Sequence, residues 1–372
     1  VQVRSITASA HLAYIATRPS VSFLQTPAWG AVKHEWRHES LGWFDGDELV
    51  GAGLVLLRKV PKVERYLAYL PEGPDLDWAR PGLVEAALTA LTDYAKSIGV
   101  FQIKMGPHVW TKRWDAEDLK NAIAQDMAMK ISRVPATHTN HNGDALIKQL
   151  RACGWQQPTA ADSGFGDYQP RYVFQVALDG KSEEKLFEGF NQLWRRNIRK
   201  AEKLGVTVRR GTREDLPIFH ACYVETALRD QFTPRPLRYF EQMWDAMSAE
   251  NPARIAVYIA EHQDHQGAIA ATTMTRVGLH AWYSYGASTT AARDLRPSNA
   301  IQWTMMKDAL GVGADVYDMR GISDTLDPEN HLFGLIQFKL GTGGYAQEYV
   351  GEWDYIISPI WAKAFSLYMA RR

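Results

Sequence analysis

Arg195, Arg196, Arg199, Lys200 and Lys203 crowd one short stretch, Leu193 to Val206. Their spacing predicts a helix that Gly205 ends, with Arg195, Arg199 and Glu202 on one face and Arg196, Lys200 and Lys203 on another. Guanidinium groups grip phosphate oxygens in a bidentate fashion, so such a helix suits phosphate recognition. Taken alone, a solvated helix face explains the run better. A second stretch is Phe338-Lys339-Leu340-Gly341-Thr342-Gly343-Gly344. Glycines permit close backbone approach or positive φ. A lysine beside them could face a phosphate or a developing oxyanion, and alone it reads as a surface turn.

Two further stretches hold single polar groups. Phe23-Leu24-Gln25-Thr26-Pro27-Ala28-Trp29-Gly30-Ala31-Val32-Lys33 reads as a helix opened by Thr or Pro, with Lys33 near its end. His108 follows Gly106-Pro107 in a turn. No metal set is expected: His138 and His141 read as residues of a polar loop, and His262 and His265 as a hairpin turn. There is no Walker phosphate loop and no G-x-S-x-G elbow.

Alternating strands and helices must position these groups. Strands are predicted over 48–57, 66–70 and 100–105, with a helix over 81–98 stopped by Gly99. The same order returns later: strands over 267–274, 281–285 and 316–319, with a helix over 299–310. The interval from Gly51 to Tyr69 equals that from Gly267 to Tyr285. An internal duplication of an α/β unit is the simplest reading, and chance similarity is the alternative. Either of two turn-rich stretches, His138 to Gly143 or Asp162 to Pro170, could carry the domain crossing.

The 372 residues suit two domains. Lys plus Arg and Asp plus Glu balance at 42 each, which argues against coating nucleic acid by bulk charge. Cys153 and Cys222 have no CxxC spacing and read as buried, reduced thiols. Val1 to Ser5 lacks a signal-peptide core, and no apolar run reaches the roughly 20 residues of a membrane span, so a cytoplasmic protein is expected. Without an obvious exposed apolar stripe, a monomer is expected. The stretch Trp361 to Arg372 reads either as a packed terminal helix or as a peripheral contact with an anionic membrane.

The ordered set of stretches resembles the Fem family, also called FemABX. The matching pieces are Phe23-Leu24-Gln25 to Lys33; Gly73-Pro74; Gln169-Pro170-Arg171; and Arg195 to Ala201 with Gly205-Val206. They continue with Tyr283-Ser284-Tyr285-Gly286; Tyr317-Asp318-Met319-Arg320-Gly321-Ile322; Gly334-Leu335 through Phe338-Lys339 to Gly344; and Tyr349-Val350-Gly351-Glu352-Trp353-Asp354. The resemblance implies two tandem acetyltransferase-like (GNAT) domains of the α/β (α+β) class. Their expected extents are 1–165, completed by the C-terminal segment 346–372, and 166–345. It implies the armless, FemX-like kind, without a coiled-coil arm.

By the same resemblance, the protein moves an amino acid from aminoacyl-tRNA to the side-chain amine of a peptidoglycan stem peptide. Glycyl-tRNA is the first expectation, alanine or serine the next. The acceptor would be UDP-MurNAc-pentapeptide or lipid II, met in the cytoplasm or at the inner face of the membrane. Lys339 with Phe338 would sit at the reaction centre. Lys33 and an arginine from Arg195, Arg196 and Arg199 would hold the acceptor's diphosphate. Tyr239 would line the same groove. Some family members carry an acidic residue in the turn where this chain has Gly106-Pro107-His108, so a carboxylate base there is in doubt. His108 could serve instead, or be an exposed turn residue. No cofactor is implied. Where acetyl-CoA enzymes of this fold have glycines, the chain reads Leu295-Arg296-Pro297-Ser298, and proline has no N–H for an anion. Other readings are tRNA-dependent aminoacylation of an antibiotic-like metabolite, a non-catalytic GNAT-like binding module, and an acetyl-CoA-dependent acyltransferase, which Pro297 disfavours.

Overall fold

The computed structural model describes residues 1–158 and 169–370. The chain opens with β1 (Gln2–Ile6), α1 (Ala8–Ala16) and α2 (Pro27–Val32). Next come β2 (Arg37–Asp45), β3 (Glu48–Lys59), β4 (Tyr66–Leu70), β5 (Asp75–Leu76), α3 (Pro81–Ser97), β6 (Val100–Met105) and β7 (Trp110–Asp115). The middle holds α4 (Ala116–Ala124), β8 (His138–Thr139), α5 (His141–Ala152), β9 (Tyr172–Ala177), α6 (Glu183–Glu188) and α7 (Gln192–Lys203). It continues with β10 (Thr207–Gly211), α8 (Leu216–Asp230), α9 (Leu237–Glu250), β11 (Ile255–Glu261), β12 (Ala270–Val277) and β13 (His280–Ser288). Last come α10 (Pro297–Gly311), β14 (Val316–Gly321), α11 (Phe333–Leu340), β15 (Tyr345–Tyr349), β16 (Trp353–Ile356) and α12 (Pro359–Ala370).

The chain divides into two compact units. The first comprises the described residues of Val1–Arg113, Ala136–Tyr172 and Gln347–Arg372. Its sheet runs β1-β2-β3-β4-β6-β16, with β5 beside β3. Neighbours are antiparallel except the parallel pair β4–β6. α3 covers this sheet because Leu83, Val84, Ala87, Leu88, Leu91 and Ala95 recur at helical spacing and are all buried. Trp43 from β2 and Trp353 from β16 lie in the same core, and Trp43 Nε1 donates to the Ala87 carbonyl at 3.1 Å. Trimming Leu88 to alanine there costs roughly 2–5 kcal/mol by the usual cavity scale.

The second unit comprises Trp114–Pro135 and Val173–Ala346. Its strands follow β10-β11-β12-β13-β14-β9. Here too the order is antiparallel hairpins, one parallel pair (β13–β14), then an antiparallel strand. Phe219, Tyr223 and Phe240 from α8 and α9 pack over Val257, Ile259 and Ala271. The repeated strand–strand–helix–strand order read from the sequence is therefore present in both units, as β3-β4-α3-β6 and β12-β13-α10-β14.

Several expectations need correction. Residues 114–135 belong to the second unit, where Trp114 Nε1 donates to Val134 O, the Ile131 amide to Asp324 O and the Ala116 amide to Gly344 O. His138 to Gly143 is not a polar loop: His138 lies in β8, and Asn140 caps α5 by accepting from the Asn142 amide. The expected boundary at 165/166, with most of the stretch Asp162 to Pro170, lies outside the described residues. The strand expected from Gly267 begins at Ala270, because Gly267 turns the chain at φ 72. Cys222 is buried, while Cys153 is only partly so. Finally, α12 does expose an apolar stripe, at Ile360 and Leu367. Among the described residues no helix is long and apolar enough to cross a membrane, and no group of His, Cys, Asp or Glu could hold a metal ion.

Candidate active site

Two places bring the chemistry-bearing residues together, one in each unit. In the first unit, β4 and β6 end side by side, and Gly106 N extends the pairing to Leu70 O at 3.3 Å. The chain beyond those ends forms a narrow cavity of about 20 Å³, room for about one water. Glu72, His108, Arg171, Tyr349 and Glu352 line it. Glu72 and His108 also line a neighbouring cavity of about 310 Å³, with Ser22, Gln25, Trp78 and Asn140.

The two carboxylates are held firmly. Glu72 is nearly buried at φ 51 and accepts from Ser22 Oγ at 2.5 Å. Glu352 is 3% exposed and accepts from Tyr69 Oη at 2.6 Å. Burial first, then the Glu352 charge, pushes the Tyr69 phenol well up, so it stays a donor. Lys104 lies 4.0 Å from Glu352 and 2.9 Å from Asp354. His108 is half-buried, its ring stacked on Tyr349 with centroids 4.3 Å apart. It is thus neither a plain exposed turn residue nor sunk in the core. Lys33 caps the C-terminal end of α2, with Nζ 4.9 Å from the centroid of Trp29.

In the second unit, α7 and α11 meet. Asn191 caps α7 by accepting from the Trp194 amide, and Trp194, Ile198 and Ala201 form its buried face. That turns Arg196, Arg199 and Lys200 outward, with Arg195 half-exposed. Trp194 packs on Phe338 (4.7 Å between centroids) and its Nε1 donates to Phe338 O at 2.7 Å. A Cβ on Gly341 would stand 2.1 Å from the Trp194 ring, and Gly343 sits at φ 69, so this glycine run serves the close approach expected of it. Trp194 therefore brings the arginine helix and the Phe338–Lys339 pair into one corner of this unit. Arg199 lies over the Phe187 ring at 5.2 Å.

Lys339 is not a surface lysine. It is 3% exposed, and Nζ donates to the carbonyls of Met319 (2.8 Å), Arg320 (3.2 Å) and Gly321 (2.7 Å). An ammonium has three protons, so a further acceptor must displace one of these carbonyls. Burial holds its pKa down at about 7; Asp318 opposes the shift and Arg320 adds to it. Asp318, also buried, accepts from Gln175 Nε2 at 2.8 Å and from the Arg320 amide at 2.6 Å, with His280 Nε2 at 3.4 Å. Burial raises its pKa, yet His280, Arg320 and Gln175 hold it at about 2. Tyr239 packs in another cluster, with Phe240 and Tyr285; its hydroxyl meets that of Tyr285 at 3.0 Å, and Arg235 lies over its ring at 4.6 Å. Burial, then Tyr285, pushes its phenol far up.

Sequence reasoning missed Glu72, Glu352, Asp318 and His280. Glu72 adjoins Gly73-Pro74, and Glu352 and Asp318 stand inside quoted stretches, but nothing in their spacing marks them as neighbours of His108 or Lys339. At the head of α10, Arg296 takes φ 62 and Pro297 occupies the first helical position, which leaves no N–H there for an anion.

The lipid II:glycine glycyltransferases of Staphylococcus epidermidis and Staphylococcus aureus are each 25% identical to this chain, over 414 and 424 residues. Each match covers 95% of this chain and 92% of the relative. The crystal structure of FemX superposes with a TM-score of 0.80 at 23% identity, covering 98% of this chain and 99% of that one. A tandem GNAT protein from the clavulanic acid biosynthesis pathway superposes with a TM-score of 0.53 at 12% identity, over 96% of this chain and 99% of that one. The fold is thus the FemX fold, built of two GNAT-like units. A family model described as the FemAB family matches residues 6–261 and 248–369, nearly the whole chain, and the chain belongs to that family.

Proposed function

We propose that this protein transfers glycine from glycyl-tRNA to the side-chain amine of a peptidoglycan stem peptide, presented on lipid II or on UDP-MurNAc. The observation that carries this reading is the match to lipid II:glycine glycyltransferases over 95% of the chain. The first-unit cavity supports it: two carboxylates and a histidine suit an ammonium that must bind and then lose a proton.

In this reading Glu72 and Glu352 hold the acceptor ammonium, and His108 takes its proton. The free amine attacks the ester carbonyl, a C–N bond forms, and the tetrahedral oxyanion collapses with cleavage of the ester C–O bond. The nitrogen gives up two protons on its way from ammonium to amide: one ends on the leaving ribose hydroxyl and the other passes to solvent. The ester is already activated, so the step needs positioning and charge stabilisation, with no ATP and no covalent enzyme intermediate. Lys33 and the α7 arginines serve substrate phosphates. Lys339 acts by holding the end of β14, and Phe338 with Trp194 walls the place beside it. Tyr239, packed with Phe240 and Tyr285 in a separate cluster, has no role in this reading.

The test is transfer of radiolabel from glycyl-, alanyl- and seryl-tRNA to UDP-MurNAc-pentapeptide or lipid II. Label entering the peptide only with glycyl-tRNA, and lost in Lys339→Ala, is the expected result. Transfer undiminished in Lys339→Ala removes that residue from the site. Absence of transfer with every pair, from folded protein, overturns the reading.

A further inference from the structure

The terminal helix α12 is packed on one side only. Its inner side chains, Phe365, Trp361 and Tyr368, join Leu67, Phe101 and Val60 in a small core, with Phe365 and Phe101 5.4 Å apart between ring centroids. Its outer face carries Ile360, Ala364 and Leu367, at i, i+4 and i+7, which is one stripe of a helix. Ile360 is 82% exposed and Leu367 55%. Ile356, just before the helix, is also exposed. Isolated exposed leucines are ordinary, whereas an aligned apolar stripe on one helix is a candidate contact surface.

Charge around the stripe says which. The helix contains no acidic residue, and Lys363 is exposed on it. Val60, in its core, begins the β3–β4 turn, which also exposes Lys62 and Arg65. Arg58 lies over the Phe365 ring at 5.8 Å. The acid of that turn, Glu64, is already bonded to Lys59 and Tyr66. A second copy is a poor occupant. Two large side chains and an alanine fall far short of the roughly 800 Å² per partner of a stable interface. Pairing would also bring Lys363 towards its own counterpart.

We propose that α12 docks the protein on an anionic lipid surface. Ile360 and Leu367 enter the acyl boundary, and Lys363, Lys62, Arg65 and Arg58 face lipid phosphates.

The experiment is co-sedimentation of the full chain with vesicles of mixed phosphatidylglycerol and phosphatidylcholine, and with phosphatidylcholine alone. Binding is expected on the mixed vesicles only, weakened by salt. It should fall about tenfold or more in the Ile360→Ser/Leu367→Ser double variant, and severalfold in Lys363→Glu. Both variants change exposed positions, and thermal unfolding will show them folded. Equal binding by the double variant, or no binding by the unaltered protein, overturns the proposal. So does a concentration-dependent dimer, seen by light scattering, that the double variant abolishes. Glycyl transfer to a soluble nucleotide-linked peptide should be unchanged in the double variant. That assay therefore fails or succeeds with the proposed function, independently of the vesicles.

Discussion

The two copies of the strand–strand–helix–strand unit finish their parallel pairs differently. In the first, β4 and β6 stay together from Tyr66↔Val100 to Leu70↔Met105, and backbone continues the pairing at Gly106. In the second, β13 and β14 pair only from His280↔Val316 to Trp282↔Asp318. The carbonyls beyond that point, Met319 to Gly321, are met by the Lys339 ammonium. The first copy thus opens on two carboxylates and a histidine, the second on a buried cation. One topology can host opposite charges at its strand ends, because the strand fixes where the chain stops and the following loop chooses the side chain.

The greatest loss is expected from Lys339→Met. It keeps the volume and strips three buried carbonyls of a donor, so a loss of about 3 kcal/mol or more is expected in chemical denaturation. The folded pKa, about 7, lies below the unfolded value of 10.5, so the folded state binds fewer protons between them. Stability of the unaltered protein should therefore rise with pH across that window, by roughly 1.4 kcal/mol per unit for this one group. Lys339→Met should lack the rise; an unchanged profile would refute the burial of a titrating amine.

Next in size is His108→Ala, in the first copy. If this imidazole takes the proton, kcat should fall about a hundredfold with little loss of stability, by steady-state transfer assay. A fall under about threefold moves the role to a carboxylate, which Glu72→Gln and Glu352→Gln then separate.

Asp318→Asn should cost about 2 kcal/mol at neutral pH, since the folded pKa near 2 lies below the unfolded 3.8. That contribution is complete above about pH 4 and lost as pH falls towards 2. Acid unfolding followed by circular dichroism should show the asparagine variant losing less over that interval. The smallest effect is expected for Arg199→Ala, on the exposed side of α7. Stability should change by under about 0.5 kcal/mol. The KM for one substrate should rise about tenfold if the arginine binds phosphate; an unchanged KM leaves it a solvated helix residue.

The fold was largely legible because its signals are local. Gly99 after α3, Gly205 after α7 and the apolar periodicity of residues 83–95 each act within a few residues. The strand expected at Gly267 failed because a glycine at positive φ belongs to a turn, and the His138 stretch failed because a capping asparagine followed by a helix looks polar at its start. Residues 114–135 were misplaced because hydrogen bonds from Trp114 and Ile131, not composition, assign them to the second unit.

The duplicated order of elements, the basic face of α7, the glycine run after Lys339 and the missing N–H at Pro297 can all be read along the linear chain. These follow from backbone preference and spacing, which a linear chain displays. The burial of Lys339 on three carbonyls, the cavity shared by Glu72, Glu352 and His108, and the bare apolar stripe of α12 emerge only when the chain is folded. Burial and the meeting of charges depend on residues distant in the chain, such as Tyr69 and Glu352, which folding alone brings within 2.6 Å.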